Sequence, residues 1–346
     1  MRHLKYIKFF YKKPRVVWRI INNYRNLINK KSVLKKVDLG ITFDCQCSCD
    51  KCSSYKMRNS KKRRLTFEEY RRIARECISL GALQINLTGG EPLLEPNILH
   101  IIECLVPRTV FISINTNGLL LTESHIRRFK ELGVDMVKFS LDSSIPEEHD
   151  KSRGVKGCFE GVMRALTMIK EIGGIRGHIS VVTTPNIVRS GKIYEIVQIA
   201  EKFNVSLALT IPALAGKWSN QCDMLINEKD REILNKLLKH PLVTTDTYTG
   251  YAQIMCPAGI ESLYITCYGD VIPCPVLQIS FGNIRFEPLA KIYQRMHTFF
   301  SGEKVSSICR AGEDKEFIEK YLSPIGGYDS FPVSSHLISS FNRQTR

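Results

Sequence analysis

The sequence predicts an α/β protein: an open, incomplete (β/α)6 barrel followed by a small α+β module. Three observations predict it. From Asp38 onward, short apolar runs rich in β-branched residues alternate with longer stretches of helical periodicity. Alternation at that spacing makes right-handed βαβ units and hence a parallel sheet. The pattern runs through six units and fades after Pro212, where short strand-and-turn signals replace it.

The first 37 residues form a basic arm. They hold twelve Lys or Arg and no Asp or Glu, which leaves +4 of the net +16 for everything that follows. Within the arm, 14–34 reads as a helix, because Val17, Ile20, Ile21, Tyr24, Leu27 and Ile28 recur at spacings of three and four. Tyr6, Phe9, Phe10, Tyr11 and Trp18 add aromatic rings to the charge. Such a helix either packs on the barrel with its charged face solvated or lies on an anionic membrane surface. Nucleic acid is the weaker partner class, since no nucleic-acid-binding module is visible.

The barrel is expected over 38–215. Its strands are predicted at 39–43, 83–87, 110–114, 136–141, 178–182 and 206–210, with helices near 67–80, 97–105, 123–132, 158–172 and 191–203. Functional residues should sit where the strands end, as in barrels generally. The smaller module is expected over 216–322, with Gly269-Asp270 as a hairpin signal. The tail, 323–346, is rich in Ser, Gly and Pro and reads as loosely ordered.

Composition narrows the class. With 346 residues, 43% of them hydrophobic, the chain can bury a large core, and 24% charged residues argue against wholesale disorder. No run of about 18 apolar residues exists to span a membrane. Lys5, Lys8, Lys12 and Lys13 interrupt any signal-peptide core. The twelve cysteines therefore read as reduced thiols of a cytoplasmic protein, and four of them crowd into 45–52, which suits a metal better than a disulfide framework.

That crowded loop, Cys45-Gln46-Cys47-Ser48-Cys49-Asp50-Lys51-Cys52, follows the first predicted strand. Cys45, Cys49 and Cys52 form C-x3-C-x2-C, and three thiolates on one face of a cubane leave one iron open to a small molecule. Cys47 reads as a bystander, since adjacent ligands in so tight a loop compete for geometry. Crowded cysteines also bind zinc, so the loop alone leaves open a zinc-binding interaction protein. The second strand ends in Thr88-Gly89-Gly90-Glu91-Pro92. Its glycines allow close approach to the backbone, and Glu91 offers an acceptor to an amino group. A zinc module has no use for such a turn.

The two segments together resemble the radical S-adenosylmethionine (radical SAM) superfamily, and the likeness spans roughly 38–212. The resemblance implies a partial (β/α)6 barrel of TIM type. It implies a 4Fe-4S cluster on Cys45, Cys49 and Cys52, with the methionine part of S-adenosylmethionine on the fourth iron. Gly89, Gly90, Glu91 and Pro92 would hold the methionine amino group. It extends to Thr116 and Asn117 after strand three, Ser140 and Asp142 after strand four, Arg153 before the next helix, and 181–186 near the adenosine. Lys51 departs from the family, which often has an aromatic there. The implied reaction is reductive cleavage of S-adenosylmethionine to a 5′-deoxyadenosyl radical that takes a hydrogen atom from the substrate. The electron would come from a flavodoxin or ferredoxin. No catalytic acid or base is required for the first step.

In the C-terminal module, Cys256, Cys267, Gly269-x4-Cys274, Gly282-Asn283-Ile284, Leu289 and Cys309 resemble the SPASM domain or its shortened form, twitch. A full SPASM domain has further cysteines that this chain lacks. The resemblance therefore implies one auxiliary 4Fe-4S cluster on Cys256, Cys274 and Cys309, against a degenerate module whose cysteines are small buried hydrophobes. Cys77, Cys104 and Cys158 fall on helical patterns and read as packing residues. Relatives with such modules oxidise or cross-link peptides or oxidise small alcohols, so a peptide or small metabolite is the expected substrate. A lipid or lipid-linked substrate, motivated by the basic arm, is the second expectation.

Overall fold

The computed structural model describes residues 13–245, 256–301 and 308–338. The strands are β1 (Lys36–Thr42), β2 (Gln84–Gly89), β3 (Phe111–Thr116), β4 (Met136–Ser140), β5 (Arg176–Val182), β6 (Ser206–Thr210), β7 (Val243–Thr245), β8 (Ser262–Ile265), β9 (Asp270–Ile272), β10 (Ile279–Ser280), β11 (Gly282–Asn283) and β12 (Val333–Ser334). The helices are α1 (Pro14–Ile28), α2 (Phe67–Ser79), α3 (Ile98–Cys104), α4 (Glu123–Leu132), α5 (Pro146–Arg153), α6 (Cys158–Ile172), α7 (Pro185–Arg189), α8 (Lys192–Phe203), α9 (Glu228–Leu237), α10 (Leu289–Ser301), α11 (Arg310–Glu313) and α12 (Lys315–Phe317). Among the described residues, no helix is long and apolar enough to cross a membrane.

All six predicted strands are present, each boundary within three residues of its expected place. They run parallel in chain order from β1 to β6. The sheet extends further than predicted at both ends. β7 pairs in parallel with β6, and β8 pairs in parallel with β1. β9 and β11 then continue the sheet beyond β8 as antiparallel strands. The boundary expected at 215/216 is therefore not a cut through the sheet. β7 belongs with the barrel strands, and the C-terminal module is sewn to the barrel's first strand. A three-residue strand such as β7 carries no readable period.

Strand alternation separates two environments. Leu39, Ile85, Leu87, Ile112, Ile114, Val137, Phe139, Ile179, Val181, Leu207 and Leu209 belong to the buried apolar core. Residues of the opposite parity are mostly polar, apart from Phe111, Met136, Val182 and Ala208, and several bond across strands. Asn86 Nδ2 donates to Asp38 Oδ1 at 2.8 Å, Ser113 Oγ donates to Asn86 Oδ1 at 2.7 Å, and the His178 ring lies 2.7 Å from Ser206 Oγ.

Two expectations fail outside the barrel. The helix predicted over 14–34 stops at Ile28, because Lys30 takes a left-handed φ of 55° and the chain turns there. Its predicted apolar face is also split. Val16 is buried, with Ile20 and Leu27 half-buried, while Ile21, Tyr24 and Ile28 are exposed. The charged face is not merely solvated. Lys13 Nζ donates to the carbonyls of Val110 and Gly133 and pairs with Asp135; Arg19 donates to the carbonyls of Ala82 and Thr109; Asn23 donates to that of Gly81. These carbonyls precede β2, β3 and β4, so α1 crosses the end of the barrel where those strands begin. The tail expected to be loose is ordered over 323–338: β12 pairs with β10, and Phe331, Val333 and Ile338 are buried. The arm's first twelve residues, with Tyr6, Phe9, Phe10 and Tyr11, and the tail beyond 338 lie outside the described residues.

The interior predicts an acid sensitivity. Burial, together with the charges of Lys138, Arg176 and Lys36, pulls His178 down to about 3, and burial pulls His149 down to about 4. Both native pKa values lie below the unfolded one, so between about pH 4 and 6.5 the unfolded chain binds more protons. Urea midpoints should therefore fall as pH drops through that window, and His178→Asn should flatten the fall.

Candidate cluster and cofactor site

The loop after β1 lies at the end of the barrel opposite α1, and its backbone is bonded from several neighbouring elements. The turn after β2 comes first: Gly90 N donates to Thr42 O at 2.6 Å and Glu91 N to Asp44 O at 2.8 Å. A Cβ on Gly89 would lie 2.0 Å from Thr42 O, and one on Gly90 would lie 2.2 Å from Asp44 O. The two glycines are thus required by the approach of the cysteine loop itself. The end of α5 comes second, where Ser48 N donates to Arg153 O and Asp50 N to Ser152 O. From beyond β6, Lys217 N donates to Cys52 O, and Lys217 Nζ lies 3.3 Å from both Ser48 O and Ser48 Oγ. From the C-terminal module, Gln278 Nε2 donates to Ser53 O at 2.7 Å, and the Tyr268 hydroxyl accepts from Asn59 N at 2.9 Å.

Glu91 is engaged within the protein. Its side chain is buried, and its oxygens accept from Thr116 Oγ1 at 2.8 Å, Leu93 N at 3.1 Å and Asn117 N at 2.8 Å. It therefore ties the turn after β2 to Thr116 and Asn117 after β3. Burial pushes its carboxyl up, against the pull of these donors. Pro92 is buried directly behind it. Asn117 turns its amide to the thiols, with Nδ2 3.3 Å from Cys47 Sγ and 4.0 Å from Cys45 Sγ.

A charge cluster forms after β4. Asp142 pairs with Arg153 and, at 3.1 Å, with Lys51; Arg153 Nη1 lies 3.8 Å from Cys49 Sγ. Against strong desolvation, these cations hold the Asp142 carboxyl down at about 2. Lys51, which departs from the expected aromatic, thus joins the cysteine loop to β4. Sequence reasoning missed this pairing, although a Lys among the cysteines was its one signal. Ser140 is half-buried and faces Ser180 in register. Arg153 Nε and Asn115 Oδ1 are buried without a hydrogen-bond partner. Such groups call for an explanation, and a polar ligand supplies one.

The thiols differ among themselves. The Cys47 hydrogen bond and then the Arg153 charge bring Cys49 down to about 6, overcoming burial. Cys45 is also lowered, chiefly through Cys47, while burial raises Cys52. Cys47 sits 3.7 Å from Cys158 and also bonds Cys45 and Cys49, contacts that keep its own proton on. Cys158 opens α6, so it does more than fill the core.

In the C-terminal module, Cys274 accepts from Leu277 N at 3.3 Å and is raised to about 12, first by burial and further by the neighbouring Cys256. Cys309 caps α11, and its N–H donates to Glu313 Oε2 at 2.9 Å. Arg231 Nε in turn donates to Glu313 Oε1 at 2.7 Å, which fixes the Cys309 segment to α9. All twelve cysteines are among the described residues, and none forms a disulfide there.

Two family models match the chain: the Radical SAM superfamily over residues 39–190, and SPASM, an iron–sulfur cluster-binding domain, over 256–311. The PqqA peptide cyclase of Rhizobium meliloti (strain 1021) is 24% identical over 301 residues, 80% of this chain and 78% of the relative. The AdoMet-dependent heme synthase of Methanosarcina barkeri is 22% identical over 285 residues, 75% of this chain and 82% of the relative. Among solved structures, Streptococcus suis SuiB bound to precursor peptide SuiA superposes with a TM-score of 0.63 and 16% identity, over 83% of this chain and 72% of that one. The anSMEcpe structure with bound AdoMet gives a TM-score of 0.61 and 17% identity, over 85% and 95%. These two likenesses speak to the fold.

The charge cluster yields a measurable expectation. Arg153→Gln leaves Asp142 with Lys51 alone in a buried setting, which should cost about 3 kcal/mol in urea unfolding. Lys51→Met should cost a comparable amount, and the double variant more than the sum, because it alone leaves the buried carboxylate without a cation.

Proposed function

The chain belongs to the radical SAM superfamily and carries a SPASM domain after its barrel, and from that premise we propose that it oxidises or cross-links a peptide. The observation that carries the peptide reading is the relative whose likeness runs through both domains, a peptide cyclase matched over 80% of this chain. A second reading, a small tetrapyrrole-like substrate, rests on the heme synthase matched over 75%.

The donor chemistry of these residues supports the family's cofactors. Cys45, Cys49 and Cys52 would hold the 4Fe-4S cluster, since their loop is fixed by its neighbours and Cys49 already leans toward thiolate. Cys47 is left out, its thiol being engaged by Cys158 and Asn117. The turn 89–92 and the unpartnered Arg153 Nε would receive the amino acid part of S-adenosylmethionine, with Thr116, Asn117, Ser140 and Asp142 around it. When bound, the pair supplies one-electron cleavage to a 5′-deoxyadenosyl radical and hydrogen abstraction from the substrate. A flavodoxin or ferredoxin would deliver the electron. Arg153 and Lys51 place positive charge beside an anionic thiolate cluster, and Glu91 keeps the turns after β2 and β3 in register. Cys256, Cys274 and Cys309 would hold one auxiliary cluster.

Anaerobically reconstituted protein should carry about eight irons per chain. Cys47→Ser should keep them, and the Cys45→Ala, Cys49→Ala, Cys52→Ala variant should lose about four. About four in the native protein would remove the auxiliary cluster. Reduced native protein should convert S-adenosylmethionine to 5′-deoxyadenosine, and the triple variant should not. For substrate, peptide pools and a tetrapyrrole are compared by mass spectrometry. A peptide that loses two hydrogens only with S-adenosylmethionine supports the first reading, and turnover of the tetrapyrrole alone replaces it with the second.

A further inference from the structure

Helix α1 is turned inside out. Its polar side chains Lys13, Arg19 and Asn23 reach the barrel, bonding carbonyls that precede β2, β3 and β4. Val16 is buried and Ile20 and Leu27 are half-buried, but three other large apolar residues point the other way. Trp18 is 68% exposed, Ile21 50% and Ile28 80%. Spaced three and seven apart, they fall on one stripe of the helix. Arg25 falls within that stripe and Arg15 beside it, both exposed, as are Lys30 and Lys31 just beyond the helix. Burying an indole and two isoleucines on the barrel would have been the ordinary outcome for an amphipathic helix. Here polar anchors hold the helix, and the apolar stripe is left outward.

We propose that this outward face of α1 docks the enzyme on an anionic lipid bilayer. Charge selects the occupant. The first 37 residues carry twelve Lys or Arg and no acid, a composition that an anionic surface attracts at close range. A second copy of the chain would bring the same exposed Arg15, Arg25, Lys30 and Lys31 against themselves, because a two-fold interface pairs like with like. Residues 1–12 are themselves basic, with Arg2, Lys5, Lys8 and Lys12, and offer no neutralising charge. Trp, Ile and flanking Arg and Lys on a single helix are the combination that inserts at the headgroup–acyl boundary.

The orientation follows from the fold. α1 crosses the end where β2, β3 and β4 begin, and the cysteine loop lies where β1 ends. A docked molecule turns the cluster site away from the bilayer, so the substrate enters from the aqueous side. That arrangement suits a peptide and works against a substrate embedded in lipid.

The chain has two tryptophans, Trp18 and Trp218, and Trp218 is only 6% exposed, so Trp18 is the natural reporter. Full-length protein is mixed with phosphatidylcholine vesicles with and without about 30% phosphatidylglycerol. Expected are co-sedimentation and a blue shift of Trp18 emission on the anionic vesicles alone, weakening about tenfold by about 0.5 M salt. Ile21→Ser with Ile28→Ser, both at exposed positions, should weaken binding about tenfold and reduce the blue shift. Absence of binding at low salt overturns the proposal. So does binding unchanged by the double substitution, which would leave charge alone as the cause. A concentration-dependent dimer that the substitution dissolves would assign the face to self-association instead.

Discussion

The structure turns on a contact between two backbones. The carbonyls of Thr42 and Asp44, leading into the cysteine loop, accept from Gly90 and Glu91, and the approach is so close that neither Gly89 nor Gly90 has room for a Cβ. Ordering an irregular loop costs roughly 1–2 kcal/mol per residue in backbone entropy. This loop recovers that cost through bonds supplied by the turn after β2, the end of α5, the Gly216-Lys217 turn and the C-terminal module. Because each supplier comes from a different part of the chain, the three cysteines are positioned only when the whole barrel has closed around them.

The charge network follows from that crowding. Bringing α5 against the cysteine loop buries Arg153, and a buried guanidinium needs an anion. Asp142 provides it and takes Lys51 as well, so two cations share one carboxylate beside Cys49. The surplus positive charge favours thiolate at the site. One cluster of side chains therefore serves both the fold and the chemistry.

At the other end of the barrel the same logic of polar satisfaction gives a different result. The strand starts leave carbonyls at Gly81, Ala82, Thr109, Val110 and Gly133, and α1 answers them with Asn23, Arg19 and Lys13. A helix committed to that task keeps Val16 inside but presents Trp18, Ile21 and Ile28 outward. The barrel thus has a closed end that displays an apolar, basic surface and a second end that gathers thiols.

The sequence alone determined the parallel strand–helix alternation, the six strands, the C-x3-C-x2-C loop and its partner turn. Each is written in local spacing, either a period of side chains or a fixed interval between cysteines. It did not disclose β7, whose three residues carry no period, nor the parallel docking of β8 on β1, which depends on which edge the barrel leaves open. The purpose of Gly89 and Gly90, the commitment of Glu91 to Thr116 and Asn117, and the pairing of Lys51 with Asp142 were likewise decided only in three dimensions, because their partners lie far away in the chain. The outward face of α1 makes the same point most plainly. Amphipathic spacing shows that a helix has two faces, but only the carbonyls waiting on the barrel decide which of them turns inward.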